Sequence, residues 1–249
     1  EKHFWDTCPK MDSKKRSVTY ILPNIFTASS IFAGVVSIIN SINGEFTTAS
    51  WLIVLALIFD GLDGRVARLT NTCSRFGVEF DSLADLVAFG VAPAILLYMY
   101  AGHEFARFGI VTASLFVIFG AIRLARFNVM TAQSEPSVFI GVPIPTAAVF
   151  ISILVLLFQK YEFLHQYFFL LPIASILVSL LMVSNIRYPS FKKINPSKPY
   201  TLRLFILLLC IAFGIFVYPI EGFALIVTLY IFYGLIRAAL HLRKRRIKE

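Results

Sequence analysis

The chain has 249 residues and a net charge of +9, with 58% hydrophobic against 15% charged side chains and a mean hydropathy of +0.78. A water-soluble domain cannot hide that apolar fraction, and the same balance excludes disorder. Three cysteines, Cys8, Cys73 and Cys210, are too few and too scattered for a disulfide framework or a zinc site. The basic residues punctuate long apolar runs instead of forming one basic face, so anionic lipid and not nucleic acid is their expected counter-charge.

In chain order, residues 1–20 come first, with Lys10, Lys14, Lys15 and Arg16 just ahead of an apolar run. They read as a basic cytoplasmic juxtamembrane segment lying along the headgroups. A helix of about 20 apolar residues crosses a hydrocarbon core of roughly 30 Å. Windows of that kind fall at about 21–42, 47–69, 77–101, 107–128, 143–160, 164–186, 202–219 and 221–241, which predicts eight transmembrane helices. The first window is too long, and too poor in small residues at its end, to be a removable signal peptide. Short connections at 43–46, 102–106 and 161–163, and the Tyr218-Pro219 break before Glu221, make consecutive helices antiparallel neighbours. The expected fold class is an all-α polytopic membrane bundle.

Threading the windows back and forth puts 21 of the 23 Lys and Arg on one side, with only Arg107 and Lys160 opposite. An excess of that sign marks the cytoplasmic side. The chain is therefore expected in the cell (inner) membrane with both termini cytoplasmic.

Ionisable residues inside a span are functional candidates because they cost several kcal/mol unless they face a polar cavity. Asp60 and Asp63 end the second window, and Asp81 and Asp85 open the third. Spacings of i, i+3 and i, i+4 put each pair on one helix face, and a short basic turn between the helices can gather all four. Crowded carboxylates repel one another unless positive charge is supplied. Hard oxygen donors with no His or Cys nearby favour Mg2+ or Mn2+, and four aspartates can bridge two such ions about 3.5 to 4 Å apart, an arrangement that clamps phosphoryl oxygens. The alternative is an ion-paired knot with Arg65, Arg68 and Arg75, which is disfavoured because buried pairs rarely offset their desolvation. Gly64, between Asp63 and Arg68, is expected to border a bound diphosphate, whereas Gly61 is also explained by helix packing.

The stretch from Asp60 to Asp85, DGLDGRVARLTNTCSRFGVEFDSLAD, resembles the signature of the CDP-alcohol phosphotransferases, D-x2-D-G-x2-A-R-x8-G-x3-D-x3-D, at every fixed position. The resemblance implies an enzyme that replaces the CMP of a CDP-alcohol with a second alcohol, at a dinuclear metal site on the cytoplasmic membrane boundary. It implies Asp60 and Asp81 as ligands of both ions, Asp63 and Asp85 as ligands of one each, and Asp85 as general base. Gly64, Arg68 and Ser74 match positions that contact the CDP-alcohol, with Arg68 on the diphosphate, a role that suits a guanidinium fork. Arg65 and Arg75 lie outside the fixed pattern and read as cytoplasmic anchors. Asn24 and Thr27 stand where the family's cytidine contacts are expected; helix capping after Pro23 is their alternative.

Four further segments resemble the serine-accepting branch of that family: LPNIFTASSIFAGVVSI from Leu22, AIRLARFNV from Ala121, FIGVPIPTAA from Phe139 and LMVSNIRYPSFKK from Leu181. They imply transfer from CDP-diacylglycerol to L-serine. Arg123, Arg126 and Arg187 are then candidates for the serine carboxylate or a lipid phosphate, against the alternative of arginines snorkelling at helix ends. Gly141 to Pro145 reads as a rigid loop shaping the acceptor pocket. By this resemblance residues 21–200 form a six-helix catalytic bundle, and residues 201–249 add two helices and a basic cytoplasmic tail with no matched segment. Glycerol 3-phosphate or inositol remains a rival acceptor. A cation transporter holding ions at mid-depth is a rival of another class. The sequence leaves a homodimer open.

Overall fold

The computed structural model describes residues 21–70, 75–131, 138–184, 186–189, 214 and 217–246. The expected juxtamembrane segment 1–20 and nearly all of the seventh window, 202–219, lie outside the described residues, as do Cys8, Cys73, Ser74 and Cys210.

Helix α1 (Ile21–Ile42) folds back through a three-residue turn onto α2 (Phe46–Leu69), the most extensive helix pairing in the chain. Helix α3 (Arg75–Asp85) runs through a π-helical stretch, Leu86–Val91, into α4 (Ala92–Tyr100). The π geometry has a local cause. Pro93 has no N–H to give the carbonyl one turn back, and the Ala92 N–H bonds Val87 O, five residues behind it. A 3-10 turn (Gly102–Phe105) leads to α5 (Ala106–Thr131). Then come strand β1 (Val138–Ile140), α6 (Ile144–Lys160), a 3-10 segment (Glu162–Tyr167), α7 (Leu170–Val183), strand β2 (Arg187–Pro189) and α8 (Pro219–Arg246).

The bundle is built around α6, on which Ile144, Ala147, Ala148, Ile151, Val155 and Leu156 are all buried. Small residues let the backbones approach, as membrane helices require. One close crossing joins α1 to the π-helical stretch: a Cβ on Gly34 would lie 2.8 Å from the Ala88 Cα. Several buried serines bond within the bundle, Ser41 to the Ser37 carbonyl and Ser179 to the Ser175 carbonyl, while Ser37 donates across to Ala49 O on α2 at 2.8 Å. Outward faces are apolar instead, with Phe32 71%, Leu83 62% and Leu225 63% exposed. That inversion suits hydrocarbon as the solvent.

Four helical stretches are long and apolar enough to cross a membrane: Pro23–Ile42, Phe46–Val66, Phe76–Tyr100 and Gly102–Val129. The first four windows thus appear as expected, and the chain is an integral membrane protein. The fifth and sixth are shorter than the hydropathy windows suggested. Helix α6 has 17 residues and α7 only 14, about 26 and 21 Å against the roughly 30 Å of a hydrocarbon core. Two conformational breaks cut the sixth window down. Its first residues form a 3-10 segment, and Ser184, with ψ 155, ends α7 so that the chain can enter β2.

The all-helical expectation holds apart from that ribbon. β1 pairs antiparallel with β2, Val138 opposite Pro189 and Ile140 opposite Arg187. The pairing continues as Gly141 N–H to Ile186 O at 2.8 Å and Val142 N–H to Leu181 O at 3.2 Å. Gly141 has φ +79, and a Cβ there would meet the Met182 carbonyl oxygen, so only glycine fits. With Pro143 at φ −59 capping α6, the rigid entry read from Gly141 to Pro145 is present.

Helix α8 begins where α6 ends. Glu221 pairs with Lys160 and accepts a hydrogen bond from the Tyr161 hydroxyl at 2.7 Å.

Candidate active site

The C-terminal part of α2 and all of α3 carry the four aspartates. Asp60 lies about 14 Å from the end of α2 and Asp85 about 15 Å from the start of α3, at 1.5 Å per residue. Helical phase turns Asp60 and Asp63 toward α3 and Asp81 and Asp85 toward α2. One carboxylate oxygen from each of Asp60, Asp63 and Asp81 lies within 4.8 Å of the others. Asp85 lies within hydrogen-bond range of Asp60 and electrostatic range of Asp81. The juxtaposition expected of all four carboxylates is therefore present.

Asp63 is the most enclosed of the cluster, 6% exposed. Thr27, from α1, donates to its Oδ2 at 2.8 Å, and the Gly64 backbone N–H adds a second bond. The Thr27 side chain is buried, and its hydroxyl also lies 3.2 Å from the Pro23 carbonyl, so its one proton serves Asp63. Asn24, one turn earlier, is partly exposed.

Among the described residues no Lys or Arg forms a salt bridge with any of the four aspartates. Arg65 is exposed, which removes it from the ion-paired knot; the side chains of Arg68 and Arg75 lie outside the described set. Gly61 and Gly64 are exposed, and a Cβ on Gly61 would meet nothing within 4 Å, so Gly61 is no helix-packing contact and the approach to the carboxylates is open.

The three arginines proposed for an acceptor separate. Arg126 donates to Val183 O at 3.1 Å and so caps the C-terminus of α7. Arg123 points into the bundle, within electrostatic range of Asp85, with Phe127 5.9 Å from its guanidinium carbon. Arg187 lies on β2, its side chain outside the described residues.

Sequence reasoning missed two polar elements. Asn128 donates to Ser82 Oγ at 3.0 Å, tying α3 to α5 beside a cavity of about 240 Å3 that Glu79, Leu86 and Leu124 help to line. Ser82 is a variable position of the signature and Asn128 lies within a quoted segment, but only their pairing gives them meaning. The other is Tyr230 on α8, which comes within electrostatic range of Arg123.

Three carboxylate oxygens around one hard cation at about 2.1 Å would lie roughly 3 to 4 Å apart, so the observed spread fits a divalent ion after small rotations. The donor set is all oxygen, anionic and without a competing ammonium or guanidinium salt bridge among the described residues. Fold and site together define a membrane-embedded acidic centre whose oxygen donors suit a divalent cation.

The chain belongs to the CDP-alcohol phosphatidyltransferase family, whose model matches residues 20–186. It is 54% identical over 221 residues to a CDP-diacylglycerol--serine O-phosphatidyltransferase of Helicobacter pylori, covering 88% of this chain and 91% of that one. A protein of the same name from Methanocaldococcus jannaschii is 36% identical, over 75% of this chain and 82% of its own. An archaetidylserine synthase of Methanothermobacter thermautotrophicus is 39% identical, over 72% of this chain and 74% of its own. Family membership removes the basis of the transporter reading.

Proposed function

We propose that this chain transfers the phosphatidyl group of CDP-diacylglycerol to the hydroxyl of L-serine, giving phosphatidylserine and CMP. One observation carries the reading. The four-aspartate site lies in a chain 54% identical, over nearly its whole length, to a relative named for that reaction. The bacterial and archaeal names share serine while their lipids differ, which supports a common acceptor.

In this reading the serine oxygen bonds to the phosphatidyl phosphorus as the bond from phosphorus to the CMP oxygen breaks. Asp85 takes the hydroxyl proton. Asp60 and Asp81 would hold two divalent ions, Mg2+ or Mn2+, jointly with Asp63 on one side and Asp85 on the other, and bound there the ions would neutralise charge on the phosphoryl oxygens. Thr27 acts through Asp63, fixing which oxygen it presents. Arg68 neutralises the diphosphate, Ser74 gives it one hydrogen bond, Gly64 lets it approach, and Asn24 reads the cytosine edge. Arg123, inside the bundle, receives the serine carboxylate, with Arg187 on the adjoining ribbon as a second cation.

Purified protein given CDP-diacylglycerol, Mg2+ or Mn2+ and one acceptor at a time is expected to release CMP only with the cation, and fastest with L-serine. Equal or faster release with glycerol 3-phosphate or inositol would overturn the serine assignment and leave family membership intact.

The same reading places residues 1–20 along the headgroups, a six-helix catalytic bundle at 21–200, and two added helices with a basic tail at 201–249, in eight crossings of the inner membrane. Reporters fused to either terminus are expected to be cytoplasmic, since basic residues concentrate on that side. A periplasmic signal at one end would mean an odd number of crossings. The 14-residue α7 would then be the first withdrawn.

A further inference from the structure

The Arg123 Nε is buried without a hydrogen-bond partner; Phe127 on its own helix lies 5.9 Å from its guanidinium carbon, and Asp85 on α3 and Tyr230 on α8 are within electrostatic range of it. Helix α8 lies beyond residue 186, where the family match ends.

The register of α8 is set independently of that contact. Glu221 is tied to Lys160 and Tyr161 at the end of α6, and Phe223 packs edge-on against Trp51 of α2, ring centroids 6.2 Å apart. Val227 and Ile231 are 8% and 6% exposed, three residues before and one after Tyr230. Residues 220, 223, 224, 227, 230 and 231 thus form one inward stripe of helical period, and Tyr230 is delivered to Arg123 by that phase. Leu229, Phe232 and Tyr233, off the stripe, are exposed.

We propose that Tyr230 is an acceptor-specificity residue, which with Arg123 forms the receiving site for the carboxylate of the amino-acid acceptor. This deepens, and rests on, the serine reading above. A guanidinium only donates hydrogen bonds, whereas a phenol oxygen accepts one and donates one. Tyr230 can accept from Arg123 and direct its own proton to a carboxylate oxygen that the guanidinium also binds. Asp85, also within electrostatic range of Arg123, is then placed to meet the hydroxyl of the same small molecule. An acceptor lacking the carboxylate leaves the Arg123 Nε without a partner. The C-terminal helix thereby gains a role in selecting the acceptor.

The test uses the full chain in mixed micelles with CDP-diacylglycerol and Mg2+ or Mn2+. Tyr230→Phe removes one hydroxyl and keeps the ring, so packing on the stripe is preserved. The KM for serine is expected to rise roughly tenfold or more, the scale of losing a hydrogen bond to a charged group, while kcat and the KM for CDP-diacylglycerol stay within about threefold. The preference of the wild type for serine over serine methyl ester, whose carboxylate is neutralised, should shrink by a similar factor. Tyr233→Phe, on the exposed face, is the control and should change neither value. An unchanged serine KM and unchanged ester discrimination in Tyr230→Phe would overturn the proposal while the serine reading stands. A wild type that does not use serine would overturn both. If Tyr230→Phe is recovered poorly, the ester discrimination of Arg123→Lys decides: retention at the wild-type level excludes a carboxylate site at this pair.

Discussion

Asp85→Asn is expected to lower kcat by about 10^3-fold, within the range for loss of a general base, while retaining most of the affinity for CDP-diacylglycerol. Asp60→Asn and Asp81→Asn should fail differently. Their apparent affinity for Mn2+ is expected to fall by at least 10- to 100-fold, the usual cost of disturbing even an outer partner of a metal ligand, and turnover should fall with it. The asymmetry comes from position. Asp60 and Asp81 belong with Asp63 to the group whose oxygens lie within 4.8 Å, and each of the two would serve both ions. Asp85 lies outside that group, within electrostatic range of Arg123, and would serve one ion, so some loss of Mn2+ affinity is expected there too. Titration of Mn2+ by electron paramagnetic resonance, beside CMP release and CDP-diacylglycerol binding, separates the two behaviours. Near-normal turnover of Asp85→Asn at pH 8 would remove it as the base.

Gly34→Leu should be strongly damaging although it lies away from the carboxylates. The Cβ alone would stand 2.8 Å from the Ala88 Cα and 3.1 Å from its Cβ, so backbone must move, and overpacking of this kind costs about 1 to 3 kcal/mol or more. The displacement has a chemical consequence. Ala88 is one turn beyond Asp85, and Gly34 is on the helix whose Thr27 holds Asp63, so separating them pulls the two carboxylate pairs apart. Activity is expected to drop more than 100-fold, together with a lower thermal midpoint in detergent. Gly61→Ala, with open space around its Cβ, should keep the wild-type midpoint and serves as the folding control. A Gly34→Leu protein as stable as the wild type would mean that α1 and the π-helical stretch do not cross this closely.

The aspartates were legible because their signal is local. Two spacings of helical period inside apolar windows fix a shared face whatever the rest of the chain does, and the signature adds Gly64 and Arg68 at set offsets. The first four windows were legible for the same reason, since hydrophobic length alone decides whether a helix can span. The sixth window was misjudged because hydropathy does not distinguish a helix from a 3-10 segment or a strand of equal apolarity. Leu164 and Ile186 both fit the window, yet one lies in the 3-10 segment and the other beside the ribbon.

Roles that depend on a partner from a distant helix were not legible. Arg123 and Arg126 read alike, i and i+3 on one helix end, and the structure sends one to Asp85 and the other to the Val183 carbonyl. The bond from the Thr27 hydroxyl to Asp63, 36 residues away, had no local signal. Sequence by itself determined a membrane bundle with an acidic, oxygen-donor cluster, because periodicity, length and residue chemistry act within one or two turns, while the resemblance to a family signature supplied the chemistry expected of it. Only the tertiary structure decided which polar groups stay available to a substrate. A buried donor bonds whatever acceptor the packing of other helices brings within about 3 Å, and no local pattern encodes that choice.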